Sequence, residues 1–250
     1  LMVHLKTEVE IDRIRTSCRI ASEAMLRVEK ELKPGVTTLP LDQVADHYIR
    51  SQGAVASALG YKGFPRSICI SINDEVVHGI PGERVVLEGD ILAVDIAVKK
   101  DGYHGDTSKM FFVGEPSIQA QRLVSITQEC LYLGIKMVKP GIHLGDIGAA
   151  IQKHAEGNGF SVVRDLVGHG VGRNLHEKPE VPNYGKQGTG AKLKEGMVIA
   201  IEPMINAGVY TVQGLADGWT ITTTDGSLSA HYEHTVAITP NGADILSSFD

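Results

Sequence analysis

Two copies of one pattern, 106 or 107 residues apart, constrain this chain more than any other feature. Lys33-Pro34-Gly35 returns as Lys139-Pro140-Gly141. The apolar positions Leu41, Val44, Ala45, Tyr48 and Ile49 return as Ile147, Ala150, Ile151, His154 and Ala155, and Gly53 returns as Gly159. The octet EGDILAVD ending at Asp95 returns as EGMVIAIE ending at Glu202. Such matches in one order argue for two similar halves, each built from helix, helix and strands. No Pro/Ser-rich linker divides them, and each half carries carboxylates on an apolar strand. A shared sheet with helices outside it and the polar groups meeting at its centre satisfies both halves. The expectation is one α/β domain over residues 1–250, with half-repeats at about 7–112 and 113–246.

Local signals give the elements. Thr7 with Glu10 fits a capping box. After it Ile11, Ile14, Cys18, Ala21, Met25, Val28 and Leu32 recur every three or four residues, the stripe of one helix, which places Cys18 in the core. Leu123, Ile126, Cys130, Leu133 and Met137 draw the same stripe in the second half. Between Asp90 and Phe112 two apolar strands flank Asp101-Gly102, which suits a two-residue hairpin loop. That loop pairs Val98 with Gly105, Ala97 with Asp106 and Asp95 with Ser108. Side chains alternate faces, so Asp95 and Asp106 become diagonal neighbours on one face. A loop one residue longer would part them. Asp225-Gly226 predicts a further hairpin, whose second strand holds Glu233, Thr235 and Ala237 on one face with His231 beside them.

Composition excludes several classes. A net charge of −6, from 24 basic and 30 acidic residues, gives no basic footprint for nucleic acid or an anionic membrane. Cys18, Cys69 and Cys130 form no CxxC pair, which favours a reducing compartment over a disulfide framework. The opening LMVHLKTEVE lacks the apolar core of a signal peptide. No apolar run approaches the roughly 20 residues of a membrane helix. A soluble cytoplasmic protein is expected.

The polar groups borne by apolar strands are Asp95, Asp106, His169, Glu202 and Glu233. His169 sits between two glycines, which give up packing to let something approach. Buried anions repel and lose solvation, so they need compensating cations. Four carboxylates and one imidazole exceed the charge of one divalent ion, and two bridged metals balance them better. The alternative is a set of structural ion pairs, for which Lys109 is the main available cation.

The stretches GYKGFPRSICISINDEVVHGIP, DGYHGDTSKMFFVG, GHGVGRNLHEKPEVPNYG, IAIEPMI and DGSLSAHYEHTV closely resemble type I methionine aminopeptidases, from about Thr7 to Leu246. The resemblance implies the "pita-bread" α/β (α+β) fold, a pseudo-twofold repeat around a central antiparallel sheet. It implies two divalent ions (Mn, Fe, Co or Zn) on Asp95, Asp106, His169, Glu202 and Glu233. A metal-bridged hydroxide would attack the scissile carbonyl, with Glu202 as ligand and general base. His78 and His176 would donate hydrogen bonds to the carbonyl and the developing anion.

By the same resemblance a methionine side chain would lie against Tyr61, Phe64, Cys69, Leu175 and Trp219, with His78 and His176 at the rim. Leu175 stands where an aromatic is common, and Ala58 where some relatives carry cysteine; both alter the pocket's shape. Asn73 and Ser229 match positions that help bind a monovalent cation, Na or K. The implied substrate is the initiator methionine of a nascent chain whose second residue is small. The ribosome is a further candidate partner, and a monomer is expected. Two rivals stay open: an Xaa-Pro aminopeptidase or prolidase, which usually carries an extra amino-terminal domain, and a non-catalytic binding protein that keeps the fold.

Overall fold

A computed structural model describes residues 3–249, so the first two residues of the LMVHLKTEVE segment lie outside it. Among the described residues four α-helices form: α1 (Glu8–Glu31), α2 (Thr38–Ser51), α3 (Ile118–Met137) and α4 (Leu144–Gly157). The capping box opens α1: Thr7 Oγ1 accepts from the Glu10 N–H, and the Thr7 N–H donates to Glu10 Oε2 at 2.9 Å. No helix among the described residues is long and apolar enough to cross a membrane.

The repeat is visible in the backbone. Helices α2 and α4 both have 14 residues. Gly35 and Gly141 share a left-handed conformation (φ 89° and 91°), as do Gly89 and Gly196 (89° and 83°). The isolated bridge Thr37–Val85 has its counterpart in His143–Lys192.

A nine-stranded sheet joins the two halves, and all its pairings are antiparallel. At its middle the hairpin strands Ile91–Lys100 and Tyr103–Phe112 meet Glu233–Thr239, which pairs in turn with Val198–Ile201 and then Gly168–Gly170. The hairpin has the register read from its turn: Val98 faces Gly105, Ala97 faces Asp106, and Asp95 faces Ser108. Asp101 and Gly102 both take positive φ (49° and 84°), the geometry that a two-residue loop between twisted strands needs.

Alternation then sorts the strand Ile91–Lys100. Leu92, Val94, Ile96 and Val98 pack with Ala21, Met25 and Val28 of α1 and Leu41 and Ile49 of α2. Ile91 and Ala93 face the other way, into a core with Leu123, Cys130 and Ile151 of α3 and α4. Each fully buried Leu or Ile contributes roughly 1.5–3 kcal/mol, so both faces are strongly held and the register cannot slip. Asp95 and Ala97 lie on the face away from α1 and α2. Helix α1 presses directly on the hairpin, where a Cβ on Gly105 would lie 2.4 Å from the Cys18 nitrogen.

One expectation fails. The turn at Asp225-Gly226 forms, with the Ser227 N–H donating to Asp225 Oδ1 at 3.0 Å, but it closes no hairpin. The strand before it, Ile221–Thr223, pairs with Val212–Gly214 and Glu75–Val77, whereas Ser229–His231 pairs with Met204–Asn206. The expected second strand also breaks at Tyr232, and Glu233–Thr239 runs in the main sheet. A turn dipeptide specifies reversal of the chain, not which strand each arm pairs with. Here Asp225 Oδ2 takes the Val209 N–H and ties the turn to a different loop.

Candidate functional site

The central join of the sheet places the carboxylates. Between Tyr103–Phe112 and Glu233–Thr239 the register includes Glu233–Ser108 and His234–Thr107. One step on, the Thr235 hydroxyl enters the ladder: it donates to Asp106 O at 2.7 Å and accepts from the Asp106 N–H at 3.1 Å. Asp106 and Glu233 are buried at this seam, and His169 reaches it from Gly168–Gly170. One ligand atom from each of the three lies within 4.8 Å of the others.

His169 Nε2 is 3.4 Å from Glu202 Oε1 and 3.8 Å from Asp106 Oδ2. Its Nδ1 donates to the Gly170 carbonyl at 2.9 Å, which leaves the Nε2 lone pair aimed at the acids. The flanking glycines make room for neighbouring main chain. A Cβ on Gly168 would lie 2.3 Å from Ala200 O, and one on Gly170 2.4 Å from Lys178 O. The approach anticipated at these glycines is thus by sheet partners.

Burial pushes the Asp95, Asp106, Glu202 and Glu233 carboxyls upward. For Asp95, Glu202 and Glu233 the Asp106 charge adds to the effect, while His169 draws Asp106 back down. The ion-pair alternative lacks its cation, because Lys109 points to the far side and meets Glu29 at 3.2 Å. Among the described residues, the ion-pair partners of Asp106 and Glu202 are imidazoles. Asp106 Oδ1 and Glu233 Oε1 are buried without a hydrogen-bond donor. Unpartnered carboxylate oxygens, raised acids and an imidazole offering Nε2 form a donor set that fits divalent cations.

A cavity of about 280 Å³ opens onto Asp95 and Asp106. Tyr61, Phe64, Cys69, Leu175 and Trp219 line it together with Ala58, and His78 and His176 border it. Phe64 meets Trp219 edge to face, with ring centroids 5.2 Å apart. Cys69 pairs with Asp95 across two strands, and burial pushes its thiol well up, so it serves as a neutral wall. His78 holds φ at 61°, a strained conformation for a non-glycine residue, and places its ring 6.5 Å from Trp219. His176 is solvent-exposed, with its ring 4.2 Å from His169.

Asn73 and Ser229 also meet, through the Ser229 N–H and the Asn73 carbonyl at 2.8 Å. Their side chains are engaged elsewhere, Asn73 with Asp90 and Ser229 with Asn206.

Two residues lie beside Glu202 that the sequence did not connect with it: Asn183, which was not singled out, and His231, which was placed only beside Glu233. Buried Asn183 donates to the Glu202 carbonyl at 3.0 Å, and no local pattern marks it. His231 Nε2 lies 3.8 Å from Glu202 Oε2. Its place two residues before Glu233 was the available signal.

Comparison with known proteins agrees with this geometry. The model of metallopeptidase family M24 matches residues 12–240. A methionine aminopeptidase of Salmonella typhimurium is 53% identical over 99% of this chain and 94% of its own length, and one of Escherichia coli is 51% identical over the same shares. A crystal structure of methionine aminopeptidase from Rickettsia prowazekii superposes with a TM-score of 0.97 at 46% identity, covering 99% of this chain and 100% of that one. A Pyrococcus horikoshii prolidase shares the fold alone, with TM-score 0.77 and 23% identity, and the match covers 64% of its chain. The chain therefore belongs to metallopeptidase family M24, with the pita-bread fold, and is an enzyme. Within that family its resemblance is to the methionine aminopeptidases, as the sequence motifs led one to expect.

Proposed function

We propose that this enzyme removes the amino-terminal methionine from nascent polypeptides whose second residue is small, and that the whole chain acts as one catalytic domain. The observation that carries the reading is the cavity of about 280 Å³ with Asp95 and Asp106 on its lining. A side chain seated there brings its own backbone to the carboxylate cluster. Apolar and aromatic walls with a neutral thiol suit an unbranched thioether.

Asp95, Asp106, His169, Glu202 and Glu233 would hold two divalent ions, whose charge offsets the four acids. Bound metal of this kind supplies Lewis acidity and a water acidified toward neutral pH. Glu202, 3.4 Å from His169, would take the proton of the attacking water and return it to the leaving amine. Tyr61 Oη and His176 Nδ1 are 2.9 Å apart, and in this reading the phenol donates and the imidazole carries its proton on Nε2. That N–H is free to donate to the scissile carbonyl and, more strongly, to the oxyanion that follows. His78, held by its strained backbone beside Trp219, borders the same space. A bulky second residue would be rejected where the two histidines confine the approach of the carbonyl.

The test is steady-state hydrolysis of Met-Ala-Ser against Leu-Ala-Ser with added Mn²⁺, Co²⁺ or Fe²⁺. A clear preference for Met is expected, and equal rates would refute the assigned specificity. Preferential cleavage of an Xaa-Pro substrate would transfer the chain to the prolidase-like reading.

A further inference from the structure

His231 is buried to 1% exposure, yet neither of its ring nitrogens has a hydrogen-bond partner. Buried polar atoms are nearly always satisfied, so an imidazole left this way next to a reactive centre calls for a physical reason. Its surroundings supply one. Two chain segments cross together from the main sheet into a three-stranded sheet formed by Ser161–Val162, Met204–Asn206 and Ser229–His231. Ile201 pairs with His234 before the crossing, and Met204 pairs with His231 after it. Glu202 lies on one crossing segment and His231 borders the other. The Glu202 carboxylate is consequently flanked by two imidazoles, His169 Nε2 at 3.4 Å from Oε1 and His231 Nε2 at 3.8 Å from Oε2.

We propose that His231 is a positioning residue for Glu202, donating its Nε2–H to Oε2 and thereby keeping Oε1 turned toward His169 and the other acids. The inference rests on the role proposed above for Glu202. A neutral imidazole carries one N–H and one lone pair. A lone pair on Nε2 would face the carboxylate and be repelled, whereas an N–H is attracted to it. The reverse tautomer would also bury an unsatisfied N–H, the rarer defect. At 3.8 Å the two atoms stand just beyond hydrogen-bond length, and the proposed role has them close to that length in the working enzyme. Outer partners of this kind orient a ligating carboxylate without touching substrate.

Substitutions that preserve one nitrogen at a time test the assignment. His231→Gln can place an amide N–H near Nε2, His231→Asn only near Nδ1, and His231→Leu neither. The expected result is that Leu and Asn lower kcat by roughly 10- to 100-fold with KM within about twofold, while Gln restores most of the loss. Calorimetric titration of Mn²⁺ into metal-free protein should rank the variants identically, with affinity lost in Leu and Asn and kept in Gln. Thermal unfolding checks that each variant folds; if Leu does not, the Gln and Asn pair still decides. Equal behaviour of Gln and Asn, or wild-type kcat and Mn²⁺ affinity in both, would overturn the proposal. Glu202→Ala separates the two readings: if that variant keeps turnover, the role of Glu202 fails. In its background His231→Asn should cause no further loss of Mn²⁺ affinity, and an additive loss would overturn the action through Glu202.

Discussion

Tyr61 Oη lies 2.9 Å from Nδ1 of His176, linking the side of the pocket to a ring that is tilted by 53° against that of His169, with centroids 4.2 Å apart. With the phenol as donor, as proposed above, the bond selects the His176 tautomer. Tyr61→Phe keeps the aromatic wall but frees that choice. Its kcat is expected to fall about fivefold to tenfold, the worth of one hydrogen bond, with KM nearly unchanged. Steady-state kinetics on a Met-Ala-Ser peptide would show this, and an effect on KM alone would make Tyr61 a wall residue only.

Asp106→Asn has two expected consequences of opposite sign. It removes a charge that raises the Asp95, Glu202 and Glu233 carboxyls, so metal-free protein should melt at higher temperature. It also removes a candidate ligand, so turnover should fall by more than ~100-fold and the stabilisation by Mn²⁺ should shrink. Thermal unfolding with and without Mn²⁺ reads both.

Chelation with EDTA should abolish hydrolysis, and added Mn²⁺ should restore it. Because burial holds all four acids above their usual range, protons compete with metal. Mn²⁺ affinity should therefore rise with pH, since only the ionised acids bind metal. An affinity that does not change between pH 6 and 8 would contradict this.

His104 offers a stability test outside the cluster. It is buried, its Nδ1 lies 2.8 Å from Ser57 Oγ, and burial, aided by Lys99, lowers its pKa to about 4. The folded state thus takes up the proton at lower pH than the unfolded chain, whose value is 6.5. Between those values the unfolded state binds more protons, so stability falls as pH drops from 6.5 toward 4, by up to roughly 3 kcal/mol. His104→Asn, which retains a group at the Nδ1 position, should flatten that limb in denaturant titrations at pH 4.5 and 7.

Gly105→Ala should cost about 2 kcal/mol or more, because helix α1 occupies the space its methyl would need. A drop in the urea midpoint with unchanged slope would show it, with turnover per folded molecule little affected.

Much of this was legible before any coordinates. The Asp101-Gly102 dipeptide set the hairpin register, and the register put Asp95 and Asp106 on one face, because a two-residue loop leaves no freedom to slide. The recurrence of Asp95 as Glu202 announced two halves. The pocket residues came from resemblance to whole motifs; spacing alone had not singled out Tyr61, Phe64 or Trp219. The Asp225-Gly226 turn was read correctly as a reversal and wrongly as a hairpin, since its two arms pair with different strands.

What the sequence by itself determined is whatever neighbouring residues decide among themselves: caps, helix stripes, turn geometry and the face each strand residue takes. Only the tertiary structure decided which strands cross from one sheet to the other at Glu202 and Tyr232, and so which buried groups flank the acids. Asn183 and His231 reach Glu202 from 19 and 29 residues away along the chain. No short-range pattern encodes such a meeting, because it is fixed by the competition of distant strands for partners.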